Sequence, residues 1–211
     1  VGAASCAVFQ TGHAANTSAI AALCGARDFI VADKQVHASI LEGIKLSRAR
    51  WCTFRHSDAV HLGHILEGLR ERGHRRGILV VLEGVYGLDG DVANLTDIYA
   101  VARKYNARVL LDDAHGVGVL GATGAGTGQH LDAGLPDLLM GSLSKSFGSV
   151  GGWIAGPTPV IDYLRFFAST LVFSVGLAPA SAAAALAAVR LLRNDPSLLT
   201  ALKRNAEHLK D

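Results

Sequence analysis

Short, nearly unbroken apolar runs alternate along this chain with longer stretches whose apolar residues recur every three to four positions. The runs "DFIVAD" (28–33), "RWCTF" (50–54), "GILVVLEG" (77–84), "RVLLDD" (108–113) and "DLLMGS" (137–142) predict strands, and "WIAG" (153–156) predicts a further one. Continuous apolarity is what strands covered on both faces require. Helical periodicity marks 13–24, 37–47, 58–72 and 94–105. The third is expected to bury Val60, Ile65, Leu66 and Leu69, and the fourth Leu95, Ile98, Tyr99 and Val101. Strand–helix alternation implies βαβ units, hence an α/β protein of three α/β/α layers around a mainly parallel sheet. The stretch "GATGAGTGQHLDAG" (121–134) is too glycine-rich for a regular element. Residues 171–192 are apolar but rich in small residues and contain Pro179. They read as a helix packed tightly on the domain core rather than a membrane span.

Composition adds bounds. With 211 residues, half of them hydrophobic, the chain can form one large domain, or a domain plus an appendage, around a substantial core. The net charge of +2 carries no basic block. The densest cationic patch, "RERGHRR" (70–76), includes Glu71 and reads as a solvated helix end, not a nucleic-acid site. Cys6, Cys24 and Cys52 have no CxxC spacing, so neither a disulfide framework nor a zinc site is expected. A reducing, cytoplasmic compartment is the natural reading, and no signal peptide is evident. The chain starts without methionine and stops in a helical pattern without a clear cap, as a piece of a longer protein would.

Polar residues matter most where they interrupt the strand ends. Ligands of open α/β sheets bind beyond the carboxyl ends of the strands. Glu83, then Asp112 and Asp113, then Ser142 close three of the predicted strands, with His115, Ser144 and Lys145 just beyond. Singly, a carboxylate after a strand is a helix cap and a histidine a structural residue. Together they put carboxylates, a histidine and a lysine on one edge. "GSLSKSFGSVGG" (141–152) surrounds Lys145 with serines and glycines, which give a long cation room to reach a ligand.

A lysine amine forms Schiff bases with carbonyls. Pyridoxal phosphate (PLP) asks for such a lysine, an acid against its pyridine nitrogen and a cradle for its phosphate. Lys145 and Asp112 meet the first two needs. "QTGHAANTSAI" (10–20), a glycine turn running into a helix, supplies amides and a dipole for the phosphate, with hydroxyls from Ser142 and Ser144. Two other readings fail. "LLDDAHG" looks like an NTPase acidic box, but the chain has no Gly-Lys pair and so no phosphate-binding P-loop. "GATGAGTG" looks like a dinucleotide fingerprint, but it opens no helix.

The motifs "TGHAAN", "DKQVHASILEG", "FRHSD", "LEGVYGLDGD", "LLDDAHGVGVLG" and "GSLSKSFGSVGGWIAG" occur in this order across nearly the whole chain. In this the chain resembles the large domain of the α-oxoamine synthases, fold-type I PLP enzymes. That family includes 8-amino-7-oxononanoate synthase, 2-amino-3-ketobutyrate CoA ligase, 5-aminolevulinate synthase and serine palmitoyltransferase. The resemblance implies condensation of an amino acid with an acyl-CoA thioester, with decarboxylation to an aminoketone. It implies that Lys145 joins PLP and later moves the α-proton, and that Asp112 pairs with the ring nitrogen. His115 would meet the phenolic oxygen and His37 the ring face. Gly12 and His13 amides, with Ser142 and Ser144, would hold the phosphate, and Glu83 would lie near the ring. It also implies a homodimer, a PLP-binding large domain over 1–176 and a helical segment over 177–211 leading toward a small domain.

Departures are equally specific. His13 replaces the usual aromatic, Gly87 replaces a serine whose hydroxyl meets the cofactor, and "FSVGLAP" lacks a hydroxyl after Ser174. The Gly87 contact is expected to be absent or taken by water. Rival readings are an oxoamine synthase fed by an acyl carrier protein, another fold-type I enzyme such as an aminotransferase, and an inactive structural subunit.

Overall fold

The computed structural model describes residues 1–209. Its elements in chain order are β1 (Ser5–Phe9), α1 (Gly12–Leu23), β2 (Phe29–Asp33), α2 (Ala38–Ser47), β3 (Arg50–Phe54), α3 (Ala59–Glu71) and β4 (Ile78–Glu83). Then come α4 (Leu95–Lys104), β5 (Arg108–Asp112), α5 (Thr127–His130), β6 (Leu138–Ser142), β7 (Gly152–Gly156), α6 (Thr158–Phe167), α7 (Ser169–Val172), α8 (Pro179–Asn194) and α9 (Ser197–His208). One sheet holds all seven strands in the order β1-β7-β6-β5-β4-β2-β3. β2 to β6 are mutually parallel, whereas β7 runs antiparallel to both β6 and β1.

The pleat divides the core in two. Ile78, Val80 and Leu82 of β4 join α3 and α4 on one face, in a cluster with Leu62, Leu66, Leu95 and Ile98. Leu79 and Val81 join α1, α2 and α6 on the other, with Ile20, Ile40, Ile44, Ile161 and Leu164. Side chains of successive strand residues point to opposite faces, so a strand feeding two cores is apolar throughout. Helix starts follow local chemistry. Thr11, Asp58 and Asn94 each accept a hydrogen bond from an amide in the first turn of α1, α3 and α4.

Several sequence expectations need correction. β1 was not among the predicted strands: with one strand neighbour, it buries only Ala7 and Phe9 and lacks the continuous apolarity of the central strands. Val60 is 67% exposed, and Leu62 takes its place on the buried face of α3 with Leu66 and Leu69, while Ile65 is half-buried. In α4 the buried fourth position is Ala102, not Val101. The 121–134 stretch is not wholly irregular, for it contains α5. Gly126 makes this possible: it enters α5 with φ of 105°, a region favouring glycine, and a Cβ there would collide with the Asp113 carboxylate.

The alanine-rich run also departs from expectation. α8 buries only Ala185 and α9 only Leu199, so the helix over 179–194 lies largely open rather than tightly packed. No helix among the described residues is long and apolar enough to cross a membrane. The last two residues of the predicted 177–211 segment lie outside the described residues.

Candidate active site

Register aligns the strand ends. Glu83 of β4 sits opposite Asp112 of β5, and Asp112 opposite Met140 of β6. Ser142 of β6 sits opposite Gly152 of β7. Above this edge lies a cavity of about 240 Å³. Every residue expected at the site lines it: Gly12, His13, His37, Glu83, Asp112, His115, Ser142, Ser144 and Lys145. Thr11, Asn16, Ser39, Ala114 and Met140 complete the wall.

The floor is Asp112. Its carboxylate is buried, accepting from the Asn16 side chain at 2.7 Å and from the Ala114 amide at 3.0 Å. Asn16 also donates to Ser39 Oγ at 3.0 Å, so one amide ties α1, β5 and α2 together. The Asn16 Oδ1 is buried without a partner. Asp113, the next residue, turns the other way, as strand pleating requires. It accepts from the Thr127 amide and hydroxyl, anchoring α5 away from the cavity.

One wall is the start of α1. Thr11 caps the Ala14 amide through its hydroxyl and accepts from Ala15 through its carbonyl, leaving the Gly12 and His13 amides at the helix mouth without an intrahelical partner. A Cβ at Gly12 would come within 2.9 Å of Met140 Cε and 3.6 Å of Ser142 Oγ, so glycine keeps the space between α1 and β6 open. Gly152 sets the same approach from below, since a Cβ there would lie 2.7 Å from the Gly12 nitrogen. Ser142 Oγ and Ser144 Oγ lie 2.7 Å apart, and the Ser144 amide donates to Ser142 Oγ. Two amides, two hydroxyls and a helix dipole make an anion cradle.

The opposite wall carries the titratable groups. His37 caps α2, receiving the Ser39 amide at Nδ1. Its own amide donates to Glu83 at 2.6 Å. Burial and the Asp112 charge push the Glu83 carboxyl up to about 7. His115 stands 3.9 Å from Glu83, and burial with the nearby Lys145 charge lowers its pKa. His13 turns its ring outward, into a 2.7 Å contact with Glu42 of α2. Only its backbone serves the helix mouth.

At Gly87 a Cβ would sit 2.6 Å from His115 Cε1, so the histidine ring lies directly against this glycine. Asn16, Ser39 and Thr11 were missed as cavity residues. "TGHAAN" contained Asn16, but its direction depends on how α1 packs on β5.

The fold and this strand-end cavity define a PLP-transferase-type α/β domain, and comparison with known proteins gives the family. Residues 3–211 match the aminotransferase class I and II family, and the chain belongs to it. It is 46% identical over 204 residues to a putative 8-amino-7-oxononanoate synthase of Thermosynechococcus vestitus, covering 96% of this chain and 52% of that one. It is 38% identical to the serine palmitoyltransferase of Bacteriovorax stolpii, covering 97% and 48%. Among solved structures it is similar to serine palmitoyltransferase from S. paucimobilis with a bound PLP–myriocin aldimine, with TM-score 0.92, 34% identity, and 97% and 51% coverage. An 8-amino-7-oxononanoate synthase from Francisella tularensis superposes with TM-score 0.78 at 27% identity, covering 96% of this chain and 58% of that one. The chain spans about half the length of the curated relatives it matches.

Proposed function

We propose that the full-length protein is a cytoplasmic, homodimeric PLP-dependent C-acyltransferase of the α-oxoamine synthase type. It joins an amino acid to an acyl-CoA thioester, with decarboxylation, and releases an aminoketone; an 8-amino-7-oxononanoate synthase-like reaction is favoured. The convergence of Lys145, Asp112, His115 and an anion cradle on one strand-end cavity carries this reading. Residues 1–176 serve as the PLP-binding large domain, and 177–211 lead toward the small domain.

The residues present fit PLP. The cradle left open by Gly12 suits a phosphate, and the buried, doubly hydrogen-bonded Asp112 suits a protonated ring nitrogen. When bound, PLP supplies an electron sink for the amino acid's α-carbon. Lys145 would hold the cofactor and move the α-proton through Nζ. Asp112, kept in place by Asn16, would favour the proton on the ring nitrogen. His115 would serve the phenolic oxygen and His37 the ring face. Gly12 and His13 amides, with Ser142 and Ser144 hydroxyls, would bind the phosphate. Glu83 holds the His37 amide and so orients the turn beside the ring.

Two measurements on the full-length protein test this. Borohydride reduction of the PLP-loaded protein, followed by peptide mapping, is expected to leave a pyridoxyl label on Lys145 and none on Lys145→Ala. A label on Lys34 or Lys45, neither of which lines the cavity, would sink the assignment. A panel of amino acids with acyl-CoA and acyl-carrier-protein donors is expected to couple thiol release to carbon dioxide release. Amino-group transfer without thiol release would mark an aminotransferase instead.

A further inference from the structure

His56 lies outside the cavity, just after β3, yet it holds two loops that reach it. Its ring bridges two carboxylates, with Nδ1 3.0 Å from Asp33 Oδ1 and Nε2 2.8 Å from Asp91 Oδ2. Ionised carboxylates only accept hydrogen bonds, and a neutral imidazole has one N–H. Both contacts are hydrogen bonds only when the ring is an imidazolium. Asp33 is fully buried, and a buried carboxylate left without a countercharge is costly. The Asp91 Oδ1 is buried without a partner, so His56 is the side-chain partner of that carboxylate. The Tyr86 ring meets the imidazole edge-on, 4.4 Å between centroids.

Each carboxylate organises one loop. Asp33 ends β2 and accepts from the Gln35 amide at 2.8 Å, fixing the turn that leads to His37. It also accepts from the Ser57 amide at 2.8 Å. Asp91 belongs to the loop between β4 and α4. That loop is closed by Tyr86 N to Asp91 O at 3.0 Å and Ala93 N to Gly84 O at 3.0 Å. It carries Gly87, against which the His115 ring packs.

We propose that His56 is a positioning residue: its imidazolium clamps Asp33 and Asp91 and thereby sets the two loops that place His37 and His115 at the cavity. The clamp stands on its own geometry, while its effect on catalysis rests on the function proposed above. Among the described residues, the ionisable groups in contact with the ring are Asp33 from β2, and Asp91 and Tyr86 from the loop after β4. Arg55 and Asp58, on the same segment as His56, pair with each other at 2.8 Å. Burial lowers the His56 pKa, but the bonds to Asp33 and Asp91 and their charges outweigh it and hold the group above its ordinary value. A folded-state pKa raised in this way gives a contribution fully present below the ordinary histidine range and lost as pH rises through the raised value.

The test uses the full-length, PLP-loaded protein. Nitrogen-resolved NMR of the His56 ring, assigned by its loss in His56→Gln, is expected to show a doubly protonated ring at neutral pH. Asp91→Asn, which keeps the side-chain shape, is expected to lower its titration by about one pH unit. A ring neutral at pH 7, or one indifferent to Asp91→Asn, overturns the clamp. His56→Gln is expected to weaken PLP retention and kcat/KM by about tenfold to a hundredfold, with loss of the alkaline limb that His56 gives the pH profile. A protonated ring whose replacement leaves PLP affinity and the pH profile unchanged overturns the positioning role. If the protein binds no PLP at all, the cavity reading fails, and the NMR titration still decides the clamp.

Discussion

Gly87 shows how a missing side chain can set a neighbour's position. The His115 ring occupies the volume that a Cβ at 87 would take. A serine there could touch a cofactor only by displacing that ring. Gly87→Ser is therefore expected to turn His115 away and lower kcat/KM of the full-length enzyme by about tenfold or more. Gly87→Ala should do the same, because the clash comes from Cβ rather than the hydroxyl. A crystal structure of either variant reads the His115 rotamer directly, and an unmoved ring would remove the steric account. At this scale the strand-end residues Glu83, Asp112 and Ser142 were legible, because a polar residue closing a buried strand has few places to go. Asn16 was not. It bonds Asp112 across 96 positions of sequence, and no local pattern says which face of α1 will meet β5.

Elements were legible where one local rule dominates. The parallel strands announced themselves by continuous apolarity, and α1 to α4 by their helical patterns. β1 was obscure because it is an edge strand, paired only with β7, whose burial depends on distant partners. The face of α3 was misjudged by one residue pair, since both Val60 and Leu62 suit an apolar stripe. The structure gives a direct check. Leu62 is fully buried in the core shared with Phe54 and Leu66, and Leu62→Ala should cost about 2–5 kcal/mol. Val60→Ala should stay within about 0.5 kcal/mol, because the side chain faces water. Urea unfolding of the full-length protein measures both, and a Val60 effect as large as that of Leu62 would mean a helix rotated from the one described.

For the molecule as a whole, the least legible feature was what its open apolar surfaces serve. An alanine-rich helix such as α8 satisfies the same pattern whether it is enclosed by its own domain or left for another segment. The aromatic stretch on and just after α6 and α7 is the more pointed case. Phe166 is 77% exposed, Phe173 87%, and Phe167 stacks on Tyr163 at 4.4 Å. Isolated exposed apolar residues are ordinary, but several exposed aromatics within one short stretch suit an interaction surface, whether for the small domain or for a second copy. This one is coupled to the proposed site. The Thr170 hydroxyl on α7 bonds the Ala14 carbonyl and Ser18 on α1, and the Gln10 side chain donates to the Val175 carbonyl. α1 in turn offers the Gly12 and His13 amides. A second copy seated on these residues would therefore brace the helix whose mouth is proposed to bind phosphate. The full-length protein is expected to sediment as a dimer. Phe173→Asp should shift it toward monomer and, through α1, loosen PLP, with both changes following the same protein-concentration dependence. Phe167→Asp should act in the same direction. A full-length monomer that retains PLP and turns over normally would separate the patch from the cofactor site, leaving the 141–152 loop and α1 to hold the phosphate within one chain.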